Sequence, residues 1–165
     1  MHEKSIVLLN KAVADELFAV HQYMYFHFHM DDQGYDLLSS MFRRIAIIEM
    51  THVEMLAERI LFLKGDVEMK IAEPVEKIQD VSAILKKAIK MEEGAVINYN
   101  KWANESAANA DSVTKKLFEQ LVTEEEGHYD QFDLQNDQVE KFGERYLALQ
   151  SIERSKKLEA GSPPE

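Results

Sequence analysis

Apolar positions recur at helical spacing in four long stretches of this chain, about 5–32, 36–64, 80–108 and 112–142, and in a shorter one from Glu144 to about Lys157. Leu, Ile, Met, Ala, Glu and Lys dominate these stretches, and the strict alternation of a half-buried strand does not occur in them. The breakers fall between them. Gly34 follows Asp31-Asp32-Gln33 and closes the first stretch, Gly65-Asp66 closes the second and Gly143 the fourth. Asp111 or Ser112 offers a side-chain cap at the start of the fourth. Pro74 lies in the one long link, Asp66 to about Asp80, which has no clean 3.6-residue period. Pro163-Pro164 fall in a tail, 159–165, expected to be disordered.

The pattern therefore predicts an all-α domain over 1–158, with four long helices and a short C-terminal fifth. Link lengths set its topology. The first and third links are short, so those helix pairs run antiparallel. The middle link, roughly 15 residues by this reading, is long enough to cross the length of the bundle, which makes helices two and three parallel. One long crossover in a four-helix bundle is the ferritin-like arrangement, a fold that carries two-metal carboxylate sites.

Composition narrows the chemistry. The 165 residues contain no cysteine, so disulfides, zinc-thiolate sites and iron–sulfur clusters are excluded, and any metal must sit on oxygen and nitrogen. The net charge of −11 argues against a nucleic-acid surface and suits a cationic ligand. No apolar run approaches the ~20 residues of a membrane span. The first residues have too short an apolar stretch for a secretory signal, and a cytoplasmic protein is expected.

One motif then appears twice. Glu16-Leu17-Phe18-Ala19-Val20-His21-Gln22-Tyr23 and Glu92-Glu93-Gly94-Ala95-Val96-Ile97-Asn98-Tyr99 share the form E-x-x-A-V-x-x-Y, offset by 92 − 16 = 76 positions. Each leading Glu is followed 33 residues later by E-x-x-H: Glu49 with His52, and Glu125 with His128. Residues i and i+3 share a helix face, so each Glu–His pair aims the same way. Six unpartnered ionisable groups on the inward faces of a bundle would be very costly, and cations between them remove that cost. Glu49 and Glu125 are expected to bridge two metal ions, with Glu16 and Glu92 as terminal ligands and one imidazole on each ion. Such an oxygen-rich set suits iron or manganese better than zinc. Two such ions can hold O2 or peroxide between them.

Other residues leave alternatives open. Tyr23 and Tyr99 lie two turns, about 10 Å, beyond Glu16 and Glu92 on their own helices. They are either hydrogen-bond or electron donors to the site, or aromatic core. His21, His27 and His29 fit packing or interface positions better than functional ones. Gly94 and Gly127, inside predicted helices, are expected to permit close helix approach. Met50 is turned about 100° from Glu49 and faces outward. With Ala46, Ile47 and Ala57 it forms an apolar patch that predicts a partner subunit. Its thioether is either a haem ligand or a buried interface side chain.

At this point the chain resembles the bacterioferritins. The likeness runs over about 5–155 and rests on Asp15-Glu16-Leu17, Gln22-Tyr23, Ile48-Glu49-Met50-Thr51-His52, Glu58-Arg59-Ile60-Leu61-Phe62-Leu63-Lys64-Gly65, Glu125-Glu126-Gly127-His128 and Lys141-Phe142-Gly143. The resemblance implies a cage of twenty-four subunits that oxidises Fe(II) at a di-iron ferroxidase centre within each subunit and stores ferric mineral. Its ligands would be Glu16, Glu49, His52, Glu92, Glu125 and His128. It also implies haem b between two subunits, with Met50 of each as axial ligand, passing electrons inward to release iron, and a ferredoxin as the electron source. Arg43, Arg44 and Ile48 depart from the family pattern and put its accessory inner-surface iron site in question. Asp32, Asp130 and Asp137 are candidates for a pore between subunits. The rival readings are a DNA-protecting mini-ferritin of twelve subunits, which lacks the fifth helix, a rubrerythrin-like peroxidase, and a non-catalytic helical scaffold.

Overall fold

The computed structural model describes residues 2–161. They form α1 (Glu3–Asp32), α2 (Asp36–Phe62), α3 (Val81–Ala108), α4 (Ser112–Phe142) and α5 (Glu144–Glu159). The expected architecture is present: α1 packs along α2, α3 along α4, and the pairs associate into a four-helix bundle. The fifth helix reaches Glu159. From residue 162 the expected tail, with Pro163-Pro164, lies outside the described residues.

Each helix boundary has a local cause. At the start of α3 the Asp80 carboxylate accepts from Ala83 N at 2.9 Å, and Asp111 does the same for Thr114 N at 3.1 Å at the start of α4. Three helices end in one motif. Tyr35 N donates to Met30 O and Gly34 N to Asp31 O; Gly65 N donates to Ile60 O and Lys64 N to Leu61 O; Asp111 N donates to Ser106 O and Ala110 N to Ala107 O. These paired bonds satisfy carbonyls left free by the last turn and need one left-handed residue, here Gly34, Lys64 or Ala110. Gly65 thus helps to end α2 without being the left-handed residue. It must be glycine for another reason: a Cβ there would lie 2.7 Å from Cγ2 of Ile6.

The crossover, 63–80, is tied to α1 in register. Asn10 Nδ2 donates to Asp66 O and Ala72 N to Ala14 O. Gln22 exchanges two bonds with the Glu76 backbone, at 2.9 and 2.8 Å, and Gln33 Nε2 donates to Gln79 O. The attachment points on α1 advance from residue 10 to residue 33 as the link advances. The link therefore runs the length of the bundle alongside α1 and delivers α3 antiparallel to α1.

The core is divided in two. One cluster packs Leu9, Val13, Leu56, Ile60, Trp102, Phe118 and Leu121 among others. A second, around Phe26, Met30, Phe42, Ile45, Ile84, Leu85 and Phe132, fills the other end. Each such buried side chain stabilises the fold by roughly 1.5–3 kcal/mol. α5 docks on the turn between α1 and α2. Gln150 Oε1 accepts from Leu38 N at 3.4 Å, and Arg154 donates to Asp31 O at 3.0 Å and lies 3.3 Å from Asp36 Oδ1.

The expectation that Gly94 and Gly127 permit close helix approach is wrong. A Cβ at either would meet nothing within 4 Å. Gly127 is an exposed helix-interior glycine with no packing role. Gly127→Ala should raise the thermal midpoint of the metal-free protein, corresponding to about 1 kcal/mol; a lowered midpoint in a denaturation scan would show that this glycine has a role the packing does not reveal.

Candidate metal centre

Between the two apolar clusters lies a layer of buried acid and imidazole. Glu16 comes from α1, Glu49 and His52 from α2, Glu92 from α3, and Glu125 and His128 from α4. None is more than 4% exposed. Ligand-capable atoms of Glu16, Glu49, His52 and Glu125 lie within 4.8 Å of one another, and so do those of Glu49, Glu92, Glu125 and His128. Glu49 and Glu125 belong to both groups. The two imidazoles are nearly parallel, with ring centres 6.0 Å apart. His52 Nδ1 lies 2.8 Å from Glu49 Oε2, 3.2 Å from Glu125 Oε1 and 3.5 Å from Glu16 Oε1. His128 Nδ1 lies 2.9 Å from Glu49 Oε1 and 3.0 Å from Glu125 Oε2.

These atoms crowd together without satisfying one another. Among the described residues, Glu49 Oε2, His52 Nδ1 and Glu125 Oε1 make no hydrogen bond, although all three are buried. Buried polar atoms are normally paired. Three that converge on one point unpaired suit a cation ligand set. The donor set, four carboxylates and two imidazoles, fits a pair of iron or manganese ions.

The tyrosines complete a crossed pattern. Tyr23 on α1 donates its hydroxyl to Glu92 on α3, and Tyr99 on α3 donates to Glu16 on α1. Each tyrosine therefore serves the other helix's glutamate. The antiparallel course of α1 and α3, imposed by the crossover, brings a residue seven positions past one Glu opposite the other. Both rings also pack in the core: Tyr23 against Phe42 and Phe132, Tyr99 against Trp102 and Phe118. Packing and hydrogen bonding to the site hold together.

The electrostatics show a cluster that holds protons. Burial, then the charges of Glu16 and Glu92, push Glu49 up to about 8. Burial, then Glu16 and Glu49, raise Glu125 to about 7. Burial and Glu125 raise Glu92 well above the usual carboxylate range. Glu16 alone among the four is lowered: burial opposes its charge, but His52, Glu49 and Tyr99 outweigh it. Burial disfavours the imidazolium at both histidines, yet the surrounding carboxylates win, raising His128 to about 10 and His52 further. Burial and the neighbouring glutamates also push both tyrosines up, so both keep their protons.

One group of the site has no mark in the repeat. Glu124 Oε2 lies 2.6 Å from His52 Nε2, and Gln120 Nε2 supports its other oxygen at 3.1 Å. Its only signal in the sequence was adjacency to Glu125. A cleft of about 230 Å³ reaches the cluster between α1, α3 and the crossover. Asp15, Glu73 and Asn98 line it. Burial, then the neighbouring Glu16, raises Asp15 to about 6.

The remaining candidates lie away from this layer. Met50 is 47% exposed and Ile47 40%, facing outward as expected. Ala57 is half-buried, but Ala46 is not part of that patch: it turns into the second core cluster. Although it lies only one turn before Met50 on α2, it is 2% exposed. His27 Nδ1 pairs with Ser39, His29 stacks on Tyr25 with centres 4.4 Å apart, and His21 is exposed. Arg43 is exposed, Arg44 donates to Gln131 Oε1 at 2.6 Å, and Ile48 is half-buried. Asp32, Asp130 and Asp137 are exposed. No helix among the described residues is long and apolar enough to cross a membrane.

Comparison with known proteins bears on this geometry. A family model for the ferritin-like domain matches residues 6–159. The bacterioferritin of Desulfovibrio desulfuricans is 35% identical over 145 residues, covering 88% of this chain and 81% of that protein. The chain belongs to the bacterioferritin family. Brucella melitensis bacterioferritin is also 35% identical, over 147 residues that cover 88% of this chain and 91% of its own. The X-ray structure of the Desulfovibrio bacterioferritin, whose diiron site was reduced in solution and reoxidised before crystallisation, superposes with a TM-score of 0.88 at 34% identity. It covers 90% of this chain and 86% of that one. The fold here is therefore a ferritin-like bundle, with α5 as its fifth, C-terminal helix.

The raised values set a pH dependence. A carboxyl whose folded value lies above its unfolded 4.5 contributes stability below 4.5 and loses it as pH rises through the folded value, about 8 for Glu49. The imidazoles act in the same direction above 6.5. The thermal midpoint of the metal-free protein should fall from pH 5 to pH 8, and Glu49→Gln should fall less steeply. Parallel slopes for the two would mean that Glu49 takes up no extra proton on folding.

Proposed function

We propose that this protein stores and detoxifies iron, oxidising Fe(II) with O2 or H2O2 at a di-iron ferroxidase centre within the subunit and holding the ferric product in a cage of twenty-four copies. The observation that carries this reading is the pair of four-residue groups sharing Glu49 and Glu125. His52 and Glu16 would hold one ion and His128 and Glu92 the other, with Glu49 and Glu125, common to both groups, available to both. Membership of the bacterioferritin family and the presence of α5 favour the large cage over that of the mini-ferritins.

A pair of iron ions held there would supply two electrons together for reducing the oxidant. The chain's own residues prepare the site. Tyr23 and Tyr99 hold Glu92 and Glu16 in place from the opposite helix. Glu49 and Glu92, and Glu125 in part, hold protons near neutral pH without metal and would give them up as Fe(II) arrives, as would the imidazoles, so loading is favoured by rising pH. The apolar clusters above and below exclude water from both ends of the layer. The cleft lined by Asp15 and Glu73 leaves an opening from the α1–α3 side.

Release of stored iron needs electrons. The outward thioether of Met50, beside exposed Ile47, would hold a haem b between two subunits, each giving one Met50. Such a haem would carry electrons from a ferredoxin-type donor to the mineral.

Two substitutions separate these roles. His52→Ala should slow stopped-flow Fe(II) oxidation more than the roughly 10–100-fold typical of losing a residue that only supports a ligand, with the cage still assembled by mass. Oxidation at the wild-type rate would place the chemistry elsewhere. Met50→Ala should remove the Soret band of haem-loaded protein and slow reductive release while leaving oxidation unchanged; a retained Soret band would exclude Met50 as ligand.

A further inference from the structure

The buried layer is almost symmetric in sequence. A shift of 76 positions carries Glu16 to Glu92, Tyr23 to Tyr99, Glu49 to Glu125 and His52 to His128. The same shift fails at one place in the environment of the imidazoles. Glu124 corresponds to position 48 (124 − 76), and that residue is Ile48. The consequence is visible at the two rings. His52 has Nδ1 on the cluster and Nε2 2.6 Å from Glu124 Oε2. His128 also has Nδ1 on the cluster, but no carboxylate of the described residues comes within 4.0 Å of its Nε2. Ile48, half-buried, offers no side-chain acceptor.

We infer that Glu124 is a positioning residue that makes the two metal positions unequal: the ion on His52 is held tightly, and the ion on His128 is the looser one, last to bind and first to leave. This rests on the reading of the six side chains as metal ligands. The physical reason is the hydrogen bond on the far nitrogen. A carboxylate there keeps the proton on Nε2, leaves the Nδ1 lone pair free for the metal, fixes the ring plane and raises ligand basicity. Losing such a partner typically weakens metal affinity by about 10–100-fold. Glu124 is itself steadied by Gln120, whereas the polar partners of His128 among the described residues all lie on its Nδ1 side. The cargo ion that must move on after oxidation is then the one on the less constrained ring.

The test is a calorimetric titration of the assembled, metal-free protein with Zn(II), paired with anaerobic Co(II) absorption to identify the bound ions by their ligand-field bands. Wild type should show two buried-site steps per subunit with affinities separated by about 10–100-fold. His128→Ala should delete the weak step and His52→Ala the strong one. Mutual repulsion of two ions that share Glu49 and Glu125 also spreads the steps, but it does so whichever histidine is involved, so the supporting residues decide. Glu124→Ala should weaken the strong step and Glu124→Asp should restore part of it. Ile48→Glu should tighten the weak step. A wild-type strong step that survives His52→Ala, or spacing that neither Glu124→Ala nor Ile48→Glu changes, overturns the inference while leaving the metal site intact. Absence of any ligand-field band in wild type overturns the metal-site reading as well.

Discussion

The constraint on which this structure depends is the burial of four carboxylates in one layer. Each is 1–3% exposed, and two more ionisable rings lie among them. Charges of like sign in a low-dielectric interior are far more costly than the same charges in water. Without cations, the layer takes up protons: Glu49, Glu92 and Glu125 hold them above the usual range, and both imidazoles are drawn toward the charged form. Divalent ions can replace those protons. Protons and metals compete for the same place, and the fold tolerates the layer because either satisfies it.

Everything else in the bundle is arranged around that layer. Apolar clusters above and below supply the cohesion the layer itself lacks. The crossover, pinned to α1 at Asn10, Ala14, Gln22 and Gln33, fixes the antiparallel course of α1 and α3. That course crosses the tyrosines, so each terminal glutamate is oriented by the helix it does not belong to. Topology and site chemistry are therefore one problem. A bundle with a short second link would put Tyr23 and Tyr99 at the wrong level.

Much of this was legible in the sequence because it is written as a repeat. The matched spacings of Glu16 and Glu92, and of the two E-x-x-H pairs, identified all six side chains that converge, and the long link identified the topology. What escaped had no periodic mark. Glu124 has a role only because it reaches across from α4 to His52, and its mate in the repeat is Ile48. The tyrosine partners could not be assigned without the relative height of α1 and α3. Gly94 and Gly127 suggested close packing, since glycine in a helix usually needs a reason, but open space surrounds both. Gly65 supplied the reverse lesson: it does lie at a helix end, yet Lys64 carries the left-handed turn and the contact with Ile6 explains the glycine. Ala46 fell on the helix flank, where angle alone does not separate core from surface.

The most direct measurement is anomalous scattering from a crystal of the assembled protein soaked anaerobically in Fe(II). The account predicts two peaks in each subunit, about 3.5–4 Å apart, with Glu49 and Glu125 touching both, His52 and Glu16 on one, and His128 and Glu92 on the other. A layer without anomalous density, or a single ion that leaves either E-x-x-H pair uncoordinated, would contradict it.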